Sequence, residues 1–274
     1  MREFYLAEKG IYYKTNTFLA GRPTLVFIHG LSGSSSSWFL YENIFEKKYN
    51  LLTFDIRGHG KSEKSPEYYD YEIKNLANDL HHLILHLNIS NFILISHSFG
   101  TLIALEYIKH HQERVNANIL LSPIVDLNKK LSGKILRFIL KLSYIFNLLP
   151  FKPKPGRHID YSKYLQTTDW DLKRISVDVP NTTWRVYTYC LKHSMDPAQE
   201  YHLEKIKTPT LIVQGLKDTM APAPNAIILS KKIQDSELLL IPDTDHFAIF
   251  KNIDEVTKAI DVFIKKIKKN LTFH

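Results

Sequence analysis

Six short runs along the chain are too continuously apolar for the alternation of a half-buried strand: "TLVFIHG", "LLTFDIRG", "NFILISHS", "ANILLSP", "PTLIVQG" and "ELLLIP". Runs of this kind predict strands covered on both faces. Between them lie stretches with apolar residues at helical spacing, "SSWFLYENIFEKK", "IKNLANDLHHLILHLN", "FGTLIALEYIKHH", "APNAIILSKKI" and "DEVTKAIDVFIKKI". The alternation predicts βαβ units and an α/β fold with a mostly parallel, doubly wound central sheet flanked by helices, whose functional loops lie at the carboxyl ends of the strands. Ahead of the first run, "EFYLAEKGIYYKT" predicts two short strands around a Lys9-Gly10 turn. The pattern breaks once, between "LLSPIVD" and "KTPTLIV". About 75 residues there hold no strong strand but several helical or proline-rich pieces, "KLSGKILRFILKLSYIFNLLP", "PFKPKPGRHID" and "VPNTTWRVYTYCLKH", too much for a simple connection. The expectation is a core of residues 1–125 and 201–274 with a helical cap inserted at 126–200.

With 274 residues and 44% hydrophobic content, the chain can bury a full core of this size. Its one cysteine, Cys190, cannot form an internal disulfide, and "MREFYLAEKG" has no apolar h-region, so a cytoplasmic setting is expected. The net charge of +8 speaks to solubility and loose association, not to fold. Its densest run, "KKIKKN", sits behind Ile260, Phe263, Ile264 and Ile267 at helical spacing, which predicts a surface helix with a solvated lysine face and no nucleic-acid partner. In the first cap piece Lys134, Arg137 and Lys141 form a basic stripe among Leu, Ile, Phe and Tyr. Charges through its middle argue against a membrane span. Two roles fit it: a helix packed on the core, or a lid that lines an apolar pocket and rests on a lipid surface.

Four predicted strand ends carry reactive or polar residues: His29-Gly30-Leu31 ahead of "SGSSSS", Ser98 within "SHSFG", Asp218 within "GLKD", and His246 after "LLLIPDT". A serine hydroxyl becomes a nucleophile near neutral pH when an imidazole takes its proton, and the imidazole needs a carboxylate to fix its tautomer. Ser96 is the nearby rival to Ser98 but falls on the strand side of the turn. For the acid, Asp126 competes with Asp218; Asp243 and Asp245 are too close to His246 in sequence and shape its loop. His29 supports the loop after its strand, His97 flanks Ser98, and Asp55 is structural, paired with Arg57. Neither His81-His82 nor "HHQER" has the H-E-x-x-H spacing of a helical zinc site, so no metal or cofactor is expected.

The order Ser98, Asp218, His246, with "HG" and a small-residue loop upstream, resembles the α/β-hydrolase family's order of nucleophile, acid and base. "FDIRGHGKS" and "DTDHFAIFKN" resemble its loop after the fourth strand and the stretch around its histidine. Within the family, "LSPIVD", "LIVQGLKD" and a helical cap are most like the monoacylglycerol lipase, lysophospholipase and carboxylesterase branch. The resemblance implies an oxyanion hole made by the N–H groups of Leu31 and Phe99 and hydrolysis of a small-molecule ester. It leaves open a thioesterase, a carbon–carbon bond hydrolase, or a low-turnover ligand receptor on the same fold. The family's elbow reads G-x-S-x-G; here Ser96 replaces the first glycine, and Thr101 stands where many relatives carry another, so a crowded turn is expected.

Overall fold

The computed structural model describes residues 1–125, 151, 153–195 and 201–270. The expected cap piece with Lys134, Arg137 and Lys141, and the rival acid Asp126, lie outside these residues. Eight strands form one sheet: β1 (Arg2–Leu6), β2 (Ile11–Thr15), β3 (Thr24–Ile28), β4 (Asn50–Phe54), β5 (Phe92–His97), β6 (Val115–Leu121), β7 (Thr210–Gly215) and β8 (Ser236–Ile241). Their order is β1-β2-β4-β3-β5-β6-β7-β8. The hairpin of β1 and β2 is antiparallel and joins β4 antiparallel; every pairing from β4 to β8 is parallel.

The apolar runs are explained by what covers them. Side chains alternate faces along a strand, so Val26, Ile28, Leu94 and Leu120 enter one core with helices α2 (Ile73–His86) and α3 (Gly100–His111). Leu25, Phe27, Ile95 and Ile119 enter a second core on the other face, with α1 (Phe39–Phe45) and the carboxyl-terminal helix (Ile253–Asn270). In that last helix Ile260, Phe263, Ile264 and Ile267 are buried while Lys265 and Lys266 are exposed. One run departs from the expectation: β8 is only half-buried along most of its length, because it is one of the two edge strands and lacks a neighbour on one side.

Between β6 and β7 the described residues hold no strand. They form α4 (Leu172–Thr182) and α5 (Trp184–Ser194), so the helical piece expected over "VPNTTWRVYTYCLKH" is split at Thr183, which takes φ 80 and caps the second helix by accepting a bond from the Val186 N–H. Among the described residues no helix is long and apolar enough to cross a membrane.

The parallel register brings the reactive strand ends level. Ile28 lies opposite Ser96, His97 opposite Leu121, and Leu121 opposite Val213. α3 packs hard against the end of β3, since a Cβ on Gly100 would stand 2.6 Å from the His29 carbonyl oxygen and 2.7 Å from that of Ile28. Both are backbone atoms in the sheet and cannot swing aside. Gly100→Ala is therefore expected to lower stability by about 1–3 kcal/mol through overpacking and to displace the turn that carries Ser98, cutting turnover by about 10²-fold. Chemical denaturation and steady-state kinetics on one preparation test both.

Candidate active site

Ser98 sits between the last residue of β5 and the first of α3 with φ 51, the left-handed region that a side chain disfavours. Three hydrogen bonds hold it there. Its N–H donates to the Leu121 carbonyl at 3.0 Å, and its own carbonyl accepts the Thr101 N–H at 2.9 Å and the Thr101 hydroxyl at 2.5 Å. Ser96 is fully buried and its hydroxyl donates to the Ile119 carbonyl at 3.4 Å, toward the neighbouring strand.

The turn aims Ser98 at His246: its Oγ lies 2.7 Å from Nε2. His246 Nδ1 lies 2.8 Å from Asp218 Oδ2. An ionised carboxylate can only accept, so Nδ1 carries the ring proton and Nε2 is left as the acceptor of the serine hydroxyl. All three side chains are buried, with Ser98 the most accessible at 8% exposure. Asp218 is itself fixed: Oδ1 accepts the N–H groups of Met220 and Ala221 at 2.9 and 2.7 Å, and Oδ2 also accepts from Gln214 Nε2 at 3.0 Å.

The main chain of His246 is pinned at both ends. Its carbonyl accepts from His97 Nε2 at 3.1 Å and from the Ser122 hydroxyl at 3.2 Å. Its N–H donates to Asp169 Oδ1 at 2.8 Å. Sequence reading missed Gln214, Ser122 and Asp169. The first two carry a faint signal, as polar residues in or just after apolar runs; Asp169, in the segment between β6 and β7, has none.

The peptides on either side of the hydroxyl are held alike. The Gly30 carbonyl accepts the Gly33 N–H at 3.1 Å and His29 Nδ1 at 2.8 Å, as the Ser98 carbonyl accepts from Thr101. A trans peptide points its N–H opposite its carbonyl, so each pair of bonds fixes the direction of the next N–H, that of Leu31 in one case and Phe99 in the other. Among the described residues neither N–H has an acceptor. The two loops touch: a Cβ on Gly30 would lie 3.2 Å from Ser98 Cβ.

The expected pair of Asp55 and Arg57 does not form. Arg57 donates to Asp79 in α2 at 2.5 and 2.8 Å, whereas Asp55 meets His158 Nε2 at 2.9 Å and the N–H groups of Ser35 and Lys61 at 2.6 and 2.7 Å. The chain leaves β4 at Phe54 and turns from Arg57, and each side chain found its partner on another segment. Asp243 pairs with Lys217, and Asp245 with Lys251 and the Phe247 N–H, so both shape the loop. Among the described residues no group of three or more His, Cys, Asp or Glu is placed to hold a metal ion.

Burial holds three imidazoles near the site neutral, His97 and His59 at about 3 and His29 at about 4. An unfolded chain protonates them near 6.5, so below that pH unfolding takes up protons and stability is lost as pH falls. Asp178 has the opposite sign: burial raises it to about 6, so near pH 5 it releases a proton on unfolding. These four groups give a net uptake of about two protons at pH 5, or about 3 kcal/mol lost per pH unit. Denaturation midpoints between pH 7.5 and 4.5 should fall accordingly, and His59→Gln should remove about one proton from the slope; an unchanged slope would contradict neutral burial of His59.

Comparison with known proteins is consistent in fold and varied in named activity. The family model described as alpha/beta hydrolase fold matches residues 23–253. A protein of Synechocystis sp. that carries a non-heme chloroperoxidase name is 28% identical over 264 residues, covering 90% of this chain and 92% of that one. The monoacylglycerol lipase ABHD6 of Bos taurus is 22% identical over 259 residues, covering 90% of this chain and 76% of its own. A solved thermophilic esterase from Thermogutta terrifontis superposes with a TM-score of 0.70 at 19% identity, covering 94% of each chain, which bears on fold alone. With the matched span taking in every parallel strand of the sheet, and with esterases and lipases among its relatives, the chain belongs to the α/β-hydrolase family and is a hydrolase of that fold.

Proposed function

We propose that the protein hydrolyses carboxylic esters through an acyl-enzyme, with Ser98 as nucleophile, His246 as general base and acid, and Asp218 as the group that orients the imidazole. The observation that carries this is the continuous hydrogen-bond path from Ser98 Oγ to His246 Nε2 and from His246 Nδ1 to Asp218 Oδ2 at 2.7 and 2.8 Å. Oγ attacks the ester carbonyl as its proton passes to Nε2. The carbonyl oxygen, now negative, takes the N–H groups of Leu31 and Phe99, whose worth lies in binding charge that exists only in the transition state. The tetrahedral species expels the alcohol, which leaves with the proton from Nε2. Water then attacks the acyl-serine, gives its proton to Nε2, and the acid departs as Oγ recovers that proton.

The residues at 126–200 serve in this reading as a cap over a core of 1–125 and 201–274. The substrates it favours carry a hydrophobic acyl group, of monoacylglycerol or lysophospholipid type. Supporting this, apolar side chains stand exposed at the acid loop and beside it: Leu216 at 49%, Trp170 at 64%, with its indole N–H on the Thr219 hydroxyl at 3.0 Å, and Leu172 at 78%. Such a rim suits contact with a lipid surface. Trp184 is also half-exposed, at 50%.

Ser98→Ala should abolish both labelling by a fluorophosphonate and turnover of an activated short-chain ester; near-wild-type turnover would sink the assignment. Labelling of the wild type without multiple turnover would mark a ligand receptor instead. In a p-nitrophenyl series extended with monoacylglycerol and lysophospholipid, the longer acyl chains should be accepted, and their outright rejection would remove the lipid reading. Ser96→Gly should keep activity, because the Ser96 hydroxyl points to the neighbouring strand, where it bonds the Ile119 carbonyl; loss of turnover in that variant would assign the hydroxyl a part in the chemistry.

A further inference from the structure

Resting on the proposed serine mechanism, we infer that Asp169, which belongs to neither the acid loop nor the histidine loop, is the positioning residue that holds those two loops in register. Asp169 is 3% exposed and its carboxylate takes three donors. Oδ1 accepts the His246 N–H at 2.8 Å; Oδ2 accepts the N–H of Thr219, the residue after Asp218, at 2.8 Å and its hydroxyl at 2.6 Å. One buried carboxylate thereby ties together the segments that supply the acid and the base. Those loops follow different strands, and besides the Asp218–His246 contact they are joined near their bases by backbone bonds from Leu216 N to the Ile241 carbonyl at 3.0 Å and from Lys217 N to the Thr244 carbonyl at 2.8 Å, and by the exposed Lys217–Asp243 pair.

Asp169 is held in turn. Arg174, in the first turn of α4, donates to the Asp169 carbonyl at 3.4 Å, pairs with Asp178 at 3.2 Å and stacks its guanidinium over the Phe247 ring at 3.9 Å. The segment between β6 and β7 therefore grips the chain at residue 246 and again at 247. A buried carboxylate with three charge-assisted bonds is costly to disturb, so the clamp is stiff. Relaxing it lets the imidazole drift relative to both Oγ and Oδ2, and a misplacement of the order of 1 Å costs about 10²-fold in rate.

The clamp also adds a charge. The groups facing His246 are Asp218, Asp169, the neutral His97 and, across Phe247, Arg174; Asp245 in the same loop is engaged by Lys251. Removing the Asp169 charge disfavours the imidazolium.

The test uses the full chain on an activated short-chain ester with Asp169→Asn, Asp169→Ala and Thr219→Val, each rate normalised to folded protein measured by circular dichroism and thermal unfolding. Expected for Asp169→Asn are a fall in kcat of about 10- to 100-fold with KM within about threefold, an acid limb of kcat/KM moved to lower pH, and fluorophosphonate labelling slowed in parallel. Thr219→Val should show a smaller fall in kcat, and Asp169→Ala the largest; should the alanine variant not fold, the other two carry the test. A merely structural role would lower the folded fraction and leave the pH limb and the kcat per folded molecule in place, and that result overturns the inference. Ser98→Ala separates the two claims: if it retains turnover, the serine mechanism and this role fall together, and if it is inactive while Asp169→Asn matches the wild type within about twofold, only this role falls.

Discussion

The position of one buried imidazole ring depends on contacts from every part of the fold that converges on it. His246 is held through Nδ1 by the loop after β7, through its carbonyl by His97 and Ser122 at the ends of β5 and β6, and through its N–H by Asp169. What remains is Nε2, turned to Ser98. The main-chain bonds fix where the residue sits and the two ring nitrogens fix its rotamer and tautomer, so neither can change without breaking a buried hydrogen bond, and each such loss costs more than the bond contributes when made. The parallel register that levels the strand ends is what makes these contacts simultaneous.

Strain at the elbow is held by the same economy of short-range bonds. Ser98 occupies a conformation that a side chain disfavours, and its bonds to Leu121 and Thr101 satisfy its peptide groups there. Thr101 enters the sequence reading as a source of crowding beside Ser96. In the structure its hydroxyl reaches the Ser98 carbonyl and steadies the peptide that ends in the Phe99 N–H. The residue that takes the place of a glycine thus has a definite task, while Ser96 simply fits against Ile119.

Family membership and chemistry are separate questions here. The fold is shared with relatives whose names range from chloroperoxidase to monoacylglycerol lipase, and a shared fold does not select a reaction. The identity of the atoms around Ser98 carries the proposal of ester hydrolysis, and the exposed Leu216, Trp170 and Leu172 carry its lipid character.

The sheet was legible because each central strand is covered on both faces, and a strand so covered must be apolar throughout; β8 alone misled, as an edge strand of similar composition. Ser98, Asp218 and His246 were legible because each follows an apolar run, central or edge, where the chain must turn. Asp55 was assigned the wrong partner, since proximity in sequence says nothing about which of two neighbouring loops a side chain enters. The sequence by itself determined the alternation of elements, the sheet's carboxyl edge as the place for chemistry, and the residue types brought there. Only the tertiary structure decided how those residues are held: Ser122 and Asp169 reach His246 through bonds spanning 124 and 77 residues of chain, and a hydrogen bond between distant segments leaves no periodicity in either of them.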